Sequence, residues 1–178
     1  MVKEYCDRLM RTPRYVGRQR QNPLGVAFTA LINHIITKAS GSRPEVEFLT
    51  EAEPKRYWPG VIIPGRSTSP KVDILGLRHG LPNVVFSAKW SLRHDRVSYI
   101  IQECPVYKQA AYMINRITLR YYVVTNEFSP ARLTKIISDP CVDKVVHVHK
   151  PLLTEVLALD GRLDELTDLT EFINESAD

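Results

Sequence analysis

The chain has 178 residues, of which 44% are hydrophobic and 25% charged, and its formal net charge is +4. This is the balance of an ordinary globular domain that is long enough to bury a core. No apolar run approaches the roughly 18 residues that cross a bilayer, and the first residues lack the apolar region of a signal peptide. The three cysteines, Cys6, Cys104 and Cys141, are too few and too scattered for a disulfide framework or a zinc site. We therefore expect one domain, located in the cytoplasm and without a membrane partner.

The charges are unevenly distributed along the chain. Residues 1–22 hold six Lys and Arg side chains against two acids, whereas residues 155–178 hold eight acids and a single Arg. A basic leading end suits contact with phosphate, and an acidic trailing end should face away from a polyanion. The alternative is that both ends are simply solvated, and this alternative also applies to Arg14, Arg18 and Arg20 in the basic arm.

Hydrophobic spacing and turn residues predict a chain of mixed helices and strands. The predicted helices are 3–11, Pro23 to about Ala39, 94–104, a segment opened by Pro105, Pro130–Ser138, Pro151–Leu157 and Leu163–Ile173. The predicted strands are Val46–Leu49, Val61–Ile63, Val72–Leu77, Asn83–Lys89, Ile117–Thr125 and Val142–His149. This order predicts an α/β fold with a mixed central sheet flanked by helices.

A predicted hairpin brings an acid and a lysine together. Asp73 lies on its first strand, and Ser87, Ala88 and Lys89 end its second strand. Because side chains alternate along a strand, Ser87 and Lys89 face one side and Ala88 the other. Lys89 is then suited to face a phosphate, and the Ala88 carbonyl to bind a metal ion. The alternative is an ordinary cross-strand ion pair that stabilises the sheet by about a few tenths of a kcal/mol.

The helix after the hairpin begins with side chains that can read base edges. Arg93 and Arg96 match the O6/N7 edge of guanine, and Asp95 can accept a hydrogen bond from cytosine N4. Glu103, two turns further along, is placed to return a second carboxylate to the same region, and Mg²⁺ needs only one or two carboxylates beside phosphate oxygens. A surface cluster of ion pairs is the alternative explanation of these charges.

Together these residues resemble the type II restriction endonucleases that recognise CCGG-like sites, within the PD-(D/E)xK nuclease superfamily. The resemblance is carried by Asp73, by Ser87-Ala88-Lys89, by Arg93-x-Asp95-Arg96 and by Glu103, at the spacings of that group. It is firm over residues 71–103 and weaker over residues 121–127 and the strand that ends at His149.

The resemblance implies a fold, an activity and a set of residue roles. It implies a restriction-endonuclease-like core over residues 23–150, preceded by the basic arm 1–22 and followed by C-terminal helices over 151–178. The implied activity is Mg²⁺-dependent, site-specific hydrolysis of double-stranded DNA by a homodimer, at a palindrome with a CC/GG core. The implied roles are metal binding by Asp73 and Glu103, catalysis by Lys89, and base reading by Arg93, Asp95 and Arg96. Apart from the resemblance, Ser87 and the Ala88 carbonyl at the end of the second strand are candidates for catalysis and metal binding. The candidates for contact with the DNA backbone are Arg14, Arg18, Arg20, Lys71 and Ser91.

Several features leave alternatives open. Members of the group often carry a further Glu on the first long helix, which here holds Thr29 and Asn33, so Glu45 or Glu47 is a candidate for that role. The chain is also shorter than the group leads us to expect, so either a segment that reads outer base pairs is absent or the chain is part of a longer one. A structure-specific repair or recombination nuclease and a non-catalytic DNA-binding module are the alternative functions.

Overall fold

The computed structural model describes residues 23–41, 43–65, 70–156 and 165–177. The predicted helix 3–11 and the arm residues Arg14, Arg18 and Arg20 lie outside these residues. The described elements are α1 (Pro23–Ala39), β1 (Val46–Ala52), a 3₁₀ turn (Pro54–Arg56), β2 (Val72–Arg78), β3 (Leu81–Lys89), α2 (His94–Ala110), a π-helical turn (Ala111–Asn115), β4 (Arg120–Thr125), α3 (Pro130–Ile137), β5 (Lys144–His147), α4 (Lys150–Val156), β6 (Leu166–Asp168) and α5 (Leu169–Ala177).

The six strands form one mixed sheet in the order β1-β2-β3-β4-β5-β6. Strands β1, β2 and β3 pair antiparallel, and β3, β4, β5 and β6 pair parallel. The predicted α/β fold with a mixed central sheet flanked by helices is therefore confirmed.

Each face of the sheet buries its own hydrophobic cluster. On one face Val85 and Val123 pack with Ile100 of α2, and on the other Phe86 and Val124 pack beneath α1 and α5. Successive residues of β3 belong alternately to the two clusters, as the pleat of a strand requires. The face covered by α2 and α3 is named the α2 face below, and the other the α1 face. Ser87 and Lys89 project from the α2 face.

The hairpin between β2 and β3 is tighter than predicted. The sequence predicts a five-residue turn over 78–82, whereas the strands continue to Arg78 and from Leu81, leaving only His79 and Gly80 between them. Both turn residues have positive φ, 51° at His79 and 76° at Gly80. This is the conformation of a two-residue turn whose twist matches that of the paired strands.

Pro105 does not start a new helix, so that prediction is wrong. Helix α2 runs through it without a break from His94 to Ala110, and a π-helical turn follows. Proline removes one helical hydrogen bond, but the apolar face of α2, including Ile100, Cys104 and Tyr107, is held against the sheet on both sides of it. The segment ends at Arg116, whose φ of 57° is left-handed, and β4 therefore begins later than predicted.

The C-terminal region contains a strand that the sequence analysis misses, so the prediction of helices alone over 151–178 is wrong. Residues Leu166–Asp168 form β6 beside β5, and α5 begins only at Leu169. The helix start is set by a capping box, in which the Asp168 carboxylate accepts hydrogen bonds from Thr170 and the Glu171 carboxylate accepts one from the Asp168 N–H.

The predicted strand Val61–Ile63 is also absent. Its outer residues are buried in the core without pairing to the sheet.

Cys104 and Cys141 form a disulfide, which the sequence analysis does not anticipate. The two residues are 37 positions apart, and the bond joins α2 to the loop before β5. Cross-linking a loop of that length limits the unfolded chain and contributes up to about 4 kcal/mol of stability. Disulfides are rare in reducing compartments, so the cysteines no longer support the expectation of a cytoplasmic protein. Among the described residues, none of the helices has the length and apolar character that a bilayer crossing requires.

Candidate active site

Asp73 and Lys89 meet across the β2–β3 hairpin. Ile74 pairs with Phe86, and this register carries Asp73 alongside the end of β3. The Asp73 Oδ2 atom lies 2.6 Å from Lys89 Nζ and accepts a hydrogen bond of 3.0 Å from the Ala88 N–H. Both charged side chains keep partial contact with solvent, with side-chain exposures of 21% and 26%. The observed contact of Ala88 with Asp73 is made by its N–H, while its methyl group packs in the cluster of the α1 face.

Helix α2 brings Glu103 to the same place. A cavity of about 260 Å³ lies between the hairpin and α2, and Asp73, Ser87, Lys89 and Glu103 all line it. Val97, Ile100 and Cys104 hold the apolar side of α2 on the sheet, and this packing turns Glu103 toward the end of β3. The structure therefore brings Asp73, Lys89 and Glu103 to one cavity, as the sequence predicts.

Tyr121 is a residue of this cavity that the sequence analysis does not single out. It lies on β4, is 1% exposed, and lines the cavity beside Ser87. Burial raises the pKa of the Tyr121 hydroxyl well above its ordinary value, and the negative charges of Glu103 and Asp73 raise it further, while a hydrogen bond with Ser87 opposes the shift. The hydroxyl therefore stays protonated and lies within the field of both carboxylates.

The residues predicted to read bases border the same cavity. Arg93 precedes the first turn of α2, and its guanidinium lies 3.0 Å from the Asp95 carboxylate. These two side chains are 65% and 46% exposed. Arg96 is half-buried and donates a hydrogen bond of 3.4 Å to the Ser91 carbonyl. Desolvation acts to raise the pKa of Asp95, but the Arg93 guanidinium and nearby backbone N–H groups outweigh it, so the pKa of Asp95 is lowered.

A buried carboxylate holds the segment that leads into α2. Glu127, 6% exposed, accepts hydrogen bonds from the Leu92 N–H at 2.6 Å and the Ser129 N–H at 2.8 Å. Its other partners are the Phe128 N–H and the Arg132 guanidinium, the latter at 3.2 Å. This network ties the loop after β4 to the residue just before Arg93. Glu127 is thus a support of the candidate site that spacing alone does not reveal.

The remaining predicted site residues fall into two groups. Lys71 lines the cavity and lies 3.5 Å from Glu51, and Ser91 is half-buried at the entry to α2. Glu45 and Glu47 do not line this cavity. Glu45 lies at the opposite end of the sheet, and Glu47 is exposed on β1, so neither is brought to Asp73.

The donor set of the cavity suits a hard cation held by few protein ligands. Within the described parts of the chain, no group of three or more His, Cys, Asp or Glu residues could hold a metal ion. Two carboxylates, Asp73 and Glu103, nevertheless face the Tyr121 hydroxyl closely enough to raise its pKa. Mg²⁺ is commonly bound by one or two carboxylates together with water and substrate phosphates, so these residues fit that ion.

No family model matches the chain, and no curated protein matches its sequence. The proposed function therefore depends on the residues of the cavity and on their chemistry.

Proposed function

We propose that this protein is a Mg²⁺-dependent endonuclease of the type II restriction class, with a PD-(D/E)xK core, that cuts double-stranded DNA at a palindrome with a CC/GG core. The observation that carries the proposal is that one cavity is lined by Asp73, Lys89 and Glu103 and bordered by Arg93 and Arg96. An ordinary cross-strand pair would account for Asp73 and Lys89, but it gives no reason for a second acid and two arginines at the same opening.

The cavity residues supply the parts that phosphodiester hydrolysis needs. Asp73 and Glu103 would hold Mg²⁺, which when bound polarises a phosphate and lowers the pKa of a water molecule. Lys89, held by Asp73 at 2.6 Å, would face the phosphate and stabilise the negative charge that grows on its oxygens. A water molecule would lose one proton to solvent as its oxygen bonds to phosphorus, the bond to the 3′ oxygen would break, and that oxygen would take up one proton from solvent. The products are 5′-phosphate and 3′-hydroxyl ends.

The start of α2 supplies the means of sequence recognition. The exposed Arg93 and the neighbouring Arg96 would contact guanines, and Asp95 would accept a hydrogen bond from cytosine. Asp95 is exposed and its pKa is lowered by the Arg93 guanidinium and nearby backbone N–H groups, so its carboxylate is ionised at neutral pH and both oxygens can accept hydrogen bonds. Each bidentate contact contributes about 1–3 kcal/mol of discrimination, so a few per subunit reach the roughly 4–10 kcal/mol that separates specific from non-specific binding.

The proposed cleavage of both DNA strands requires a homodimer. One cavity contains one set of catalytic side chains and would hydrolyse one strand. Cutting both strands of a palindrome therefore calls for two copies of the chain, related by the same two-fold axis as the DNA.

Digestion of phage DNA by the purified full chain tests the proposal. With Mg²⁺ we expect discrete fragments whose ends map to one palindromic sequence, and with EDTA we expect none. Asp73→Ala and Lys89→Ala should abolish cutting but leave site-specific binding largely intact, because neither side chain reads a base. Lys135→Ala, which removes an exposed lysine of α3, is the matched control and should cut normally.

Three outcomes would count against the proposal. Absence of discrete fragments with any divalent metal ion contradicts the endonuclease. Cutting that follows DNA structure and ignores sequence favours a repair or recombination nuclease. Loss of both folding and binding in Asp73→Ala and Lys89→Ala, measured by thermal unfolding and gel shift, would mean that the pair maintains the fold.

A further inference from the structure

A second and larger cavity lies at the other end of the sheet. Its volume is about 540 Å³, and it is on the α1 face, between the end of α1 and helix α5. Asn83 and Val84, at the start of β3, line it. At about 3.3 Å per residue, these residues are about 20 Å along β3 from Lys89. Phe86 lines both cavities, but its side chain belongs to the cluster of the α1 face, whereas Ser87 and Lys89 project from the α2 face. The two cavities therefore lie on opposite faces of the sheet and extend toward opposite ends of β3.

Basic side chains are prominent in the lining of this cavity. Four basic residues and two acidic ones line it, which leaves an excess of positive charge. The four basic residues are Arg43, Arg78, Arg120 and Lys144. Lys144 lies 2.6 Å from the Glu175 carboxylate. Among the described residues, neither Arg78 nor Arg120 has a carboxylate within 4.0 Å, so both guanidiniums are available to an anion. Arginine matches phosphate well because its planar fork donates two parallel hydrogen bonds.

The base of the cavity is aromatic. Four rings line it, and each contacts at least one of the others edge-to-face, with centroids 5.4 to 6.1 Å apart. They are Phe48, Phe86, Tyr122 and Phe172. The Arg120 guanidinium carbon lies 5.9 Å above the Tyr122 ring. Phe86 and Phe172 are buried, and Lys144 Nζ lies 5.8 Å above the Phe172 ring. The partly exposed rings of Phe48 and Tyr122 are therefore those on which another planar ring can stack.

Gly76 lets this aromatic base lie close to the strand. A Cβ atom at this position would lie 2.5 Å from Val84 Cγ1 and 3.0 Å from Phe48 Cε1. Those contacts are too short for any side chain, so the space above Gly76 is filled by the side chains of Val84 and Phe48. The shape of the cavity is therefore built into the packing of β1, β2 and β3.

We propose that this second cavity binds a nucleoside monophosphate. The phosphate would lie between Arg78 and Arg120, the base would stack on the aromatic surface, and the Asn83 amide, a donor and an acceptor, would contact the edge of the base. The volume lies within the range of 300–1,000 Å³ that is usual for sites of small ligands. An apolar ligand would leave the two arginines unmatched, and a bare phosphate would leave the aromatic surface unused. This site is independent of the proposed nuclease activity.

Titration of the full chain with nucleotides tests the proposal. The probes are AMP, GMP, CMP and UMP, with adenosine and inorganic phosphate as partial ligands, followed by calorimetry and by amide chemical shifts. We expect saturable binding of at least one nucleotide, tighter than either partial ligand, with the shifts concentrated at Gly76, Asn83 and Arg120. Equal affinity for inorganic phosphate and for all four nucleotides would overturn the proposal, because the aromatic surface would then contribute nothing.

Variants separate this site from the candidate active site. Arg78→Gln combined with Arg120→Gln should weaken binding at least about tenfold, since each removes charge-assisted hydrogen bonds to phosphate. Lys135→Gln, an exposed lysine elsewhere on the surface, is the matched control and should change nothing. Lys89→Ala should also retain nucleotide binding. Loss of binding in Lys89→Ala, with retention in the doubly substituted variant, would place the nucleotide in the first cavity and overturn the proposal. Thermal unfolding of each variant checks that it folds.

Discussion

At the scale of single residues, the Tyr121 hydroxyl lies near groups of both the β2–β3 hairpin and helix α2 in the candidate active site. It hydrogen-bonds with Ser87 on the neighbouring strand and lies near the carboxylates of Asp73 and Glu103. Because its pKa is raised well above the ordinary value, the hydroxyl remains a donor throughout the pH range in which the protein would work. A neutral donor among two acids and a lysine can orient those groups without adding charge.

Tyr121→Phe tests this positioning role. We expect cleavage by the variant to fall by about tenfold to a hundredfold, since a group that orients the candidate metal ligands is lost. Binding to the DNA site should be unchanged, because the ring still fills its place in the core. Single-turnover cleavage measured against Mg²⁺ concentration distinguishes the roles, since misplaced carboxylates should also shift the half-saturating concentration of Mg²⁺ upward.

The control for Tyr121→Phe is Tyr112→Phe, which removes the hydroxyl of a tyrosine that is 58% exposed. This control should cut at the normal rate. A Tyr121→Phe protein with unaltered cleavage and Mg²⁺ dependence would show that the hydroxyl serves the packing of β4 alone.

The prediction from sequence succeeds for residues whose chemistry and spacing are both encoded locally. Asp73 and Lys89 belong to one hairpin, and Glu103 follows on the next helix, so short-range geometry is enough to bring them together. Tyr121 is different. It reaches the cavity only because β4 pairs parallel to β3, with Tyr121 beside Val85, and that register depends on the whole sheet. No local pattern in the sequence carries this information.

At the scale of secondary-structure elements, each misplaced boundary has its own physical reason. Helix α2 passes through Pro105 because packing of its apolar face outweighs one missing hydrogen bond. Strand β6 escapes detection because it has only three residues and runs directly into α5. The capping box of Asp168 and Glu171 is a signal in the sequence that could have fixed the start of α5. The disulfide joins residues that are distant in sequence, and spacing alone does not predict that pairing.

The end of β5 is tied to the loop after β4 by His147. Its ring is fully buried, with Nε2 3.2 Å from the Glu127 carbonyl and Nδ1 accepting a hydrogen bond of 3.1 Å from the His149 N–H. Because Nδ1 is an acceptor, the proton of the neutral ring is on Nε2. A second ring proton would lie on Nδ1 and point at the His149 N–H, which is itself a donor. Burial lowers the pKa of His147, although the hydrogen bond to the Glu127 carbonyl and the charge of Asp168 oppose the shift.

This lowered pKa predicts a pH-dependent stability. The unfolded chain binds a proton at this histidine more tightly than the folded protein does, so the contribution of His147 is complete above its ordinary pKa of about 6.5 and declines as pH falls below it. The slope from one proton is at most about 1.4 kcal/mol per pH unit. Urea unfolding at several pH values between about 5 and 7.5 measures how the free energy of unfolding changes with pH. In His147→Gln, whose amide can replace both hydrogen bonds, we expect a flatter profile, and an equally steep profile would contradict the assignment.

At the scale of the whole molecule, the charges divide the protein into two surfaces with different expected partners. The first cavity is lined by four basic residues, Lys71, Lys89, Arg93 and Arg96, and by three acids, an arrangement suited to a metal-dependent reaction on a polyanion. The opposite end of the sheet has its own arginines above aromatic rings.

The two kinds of contact expected at the first surface can be separated by substitution. Arg93→Ala should relax specificity at one base pair of each half-site and cost about 1–3 kcal/mol of binding to the intact site, because it removes a bidentate contact with guanine. Lys71→Ala should instead weaken binding to all duplexes alike and reduce the slope of log K against log salt by about one, since it removes a phosphate contact. Binding measured over a set of single-base-pair variants of the site, at several salt concentrations, gives both quantities. If Arg93→Ala behaves as Lys71→Ala does, the start of α2 contacts phosphates and does not read sequence, and the palindromic specificity must come from elsewhere in the chain.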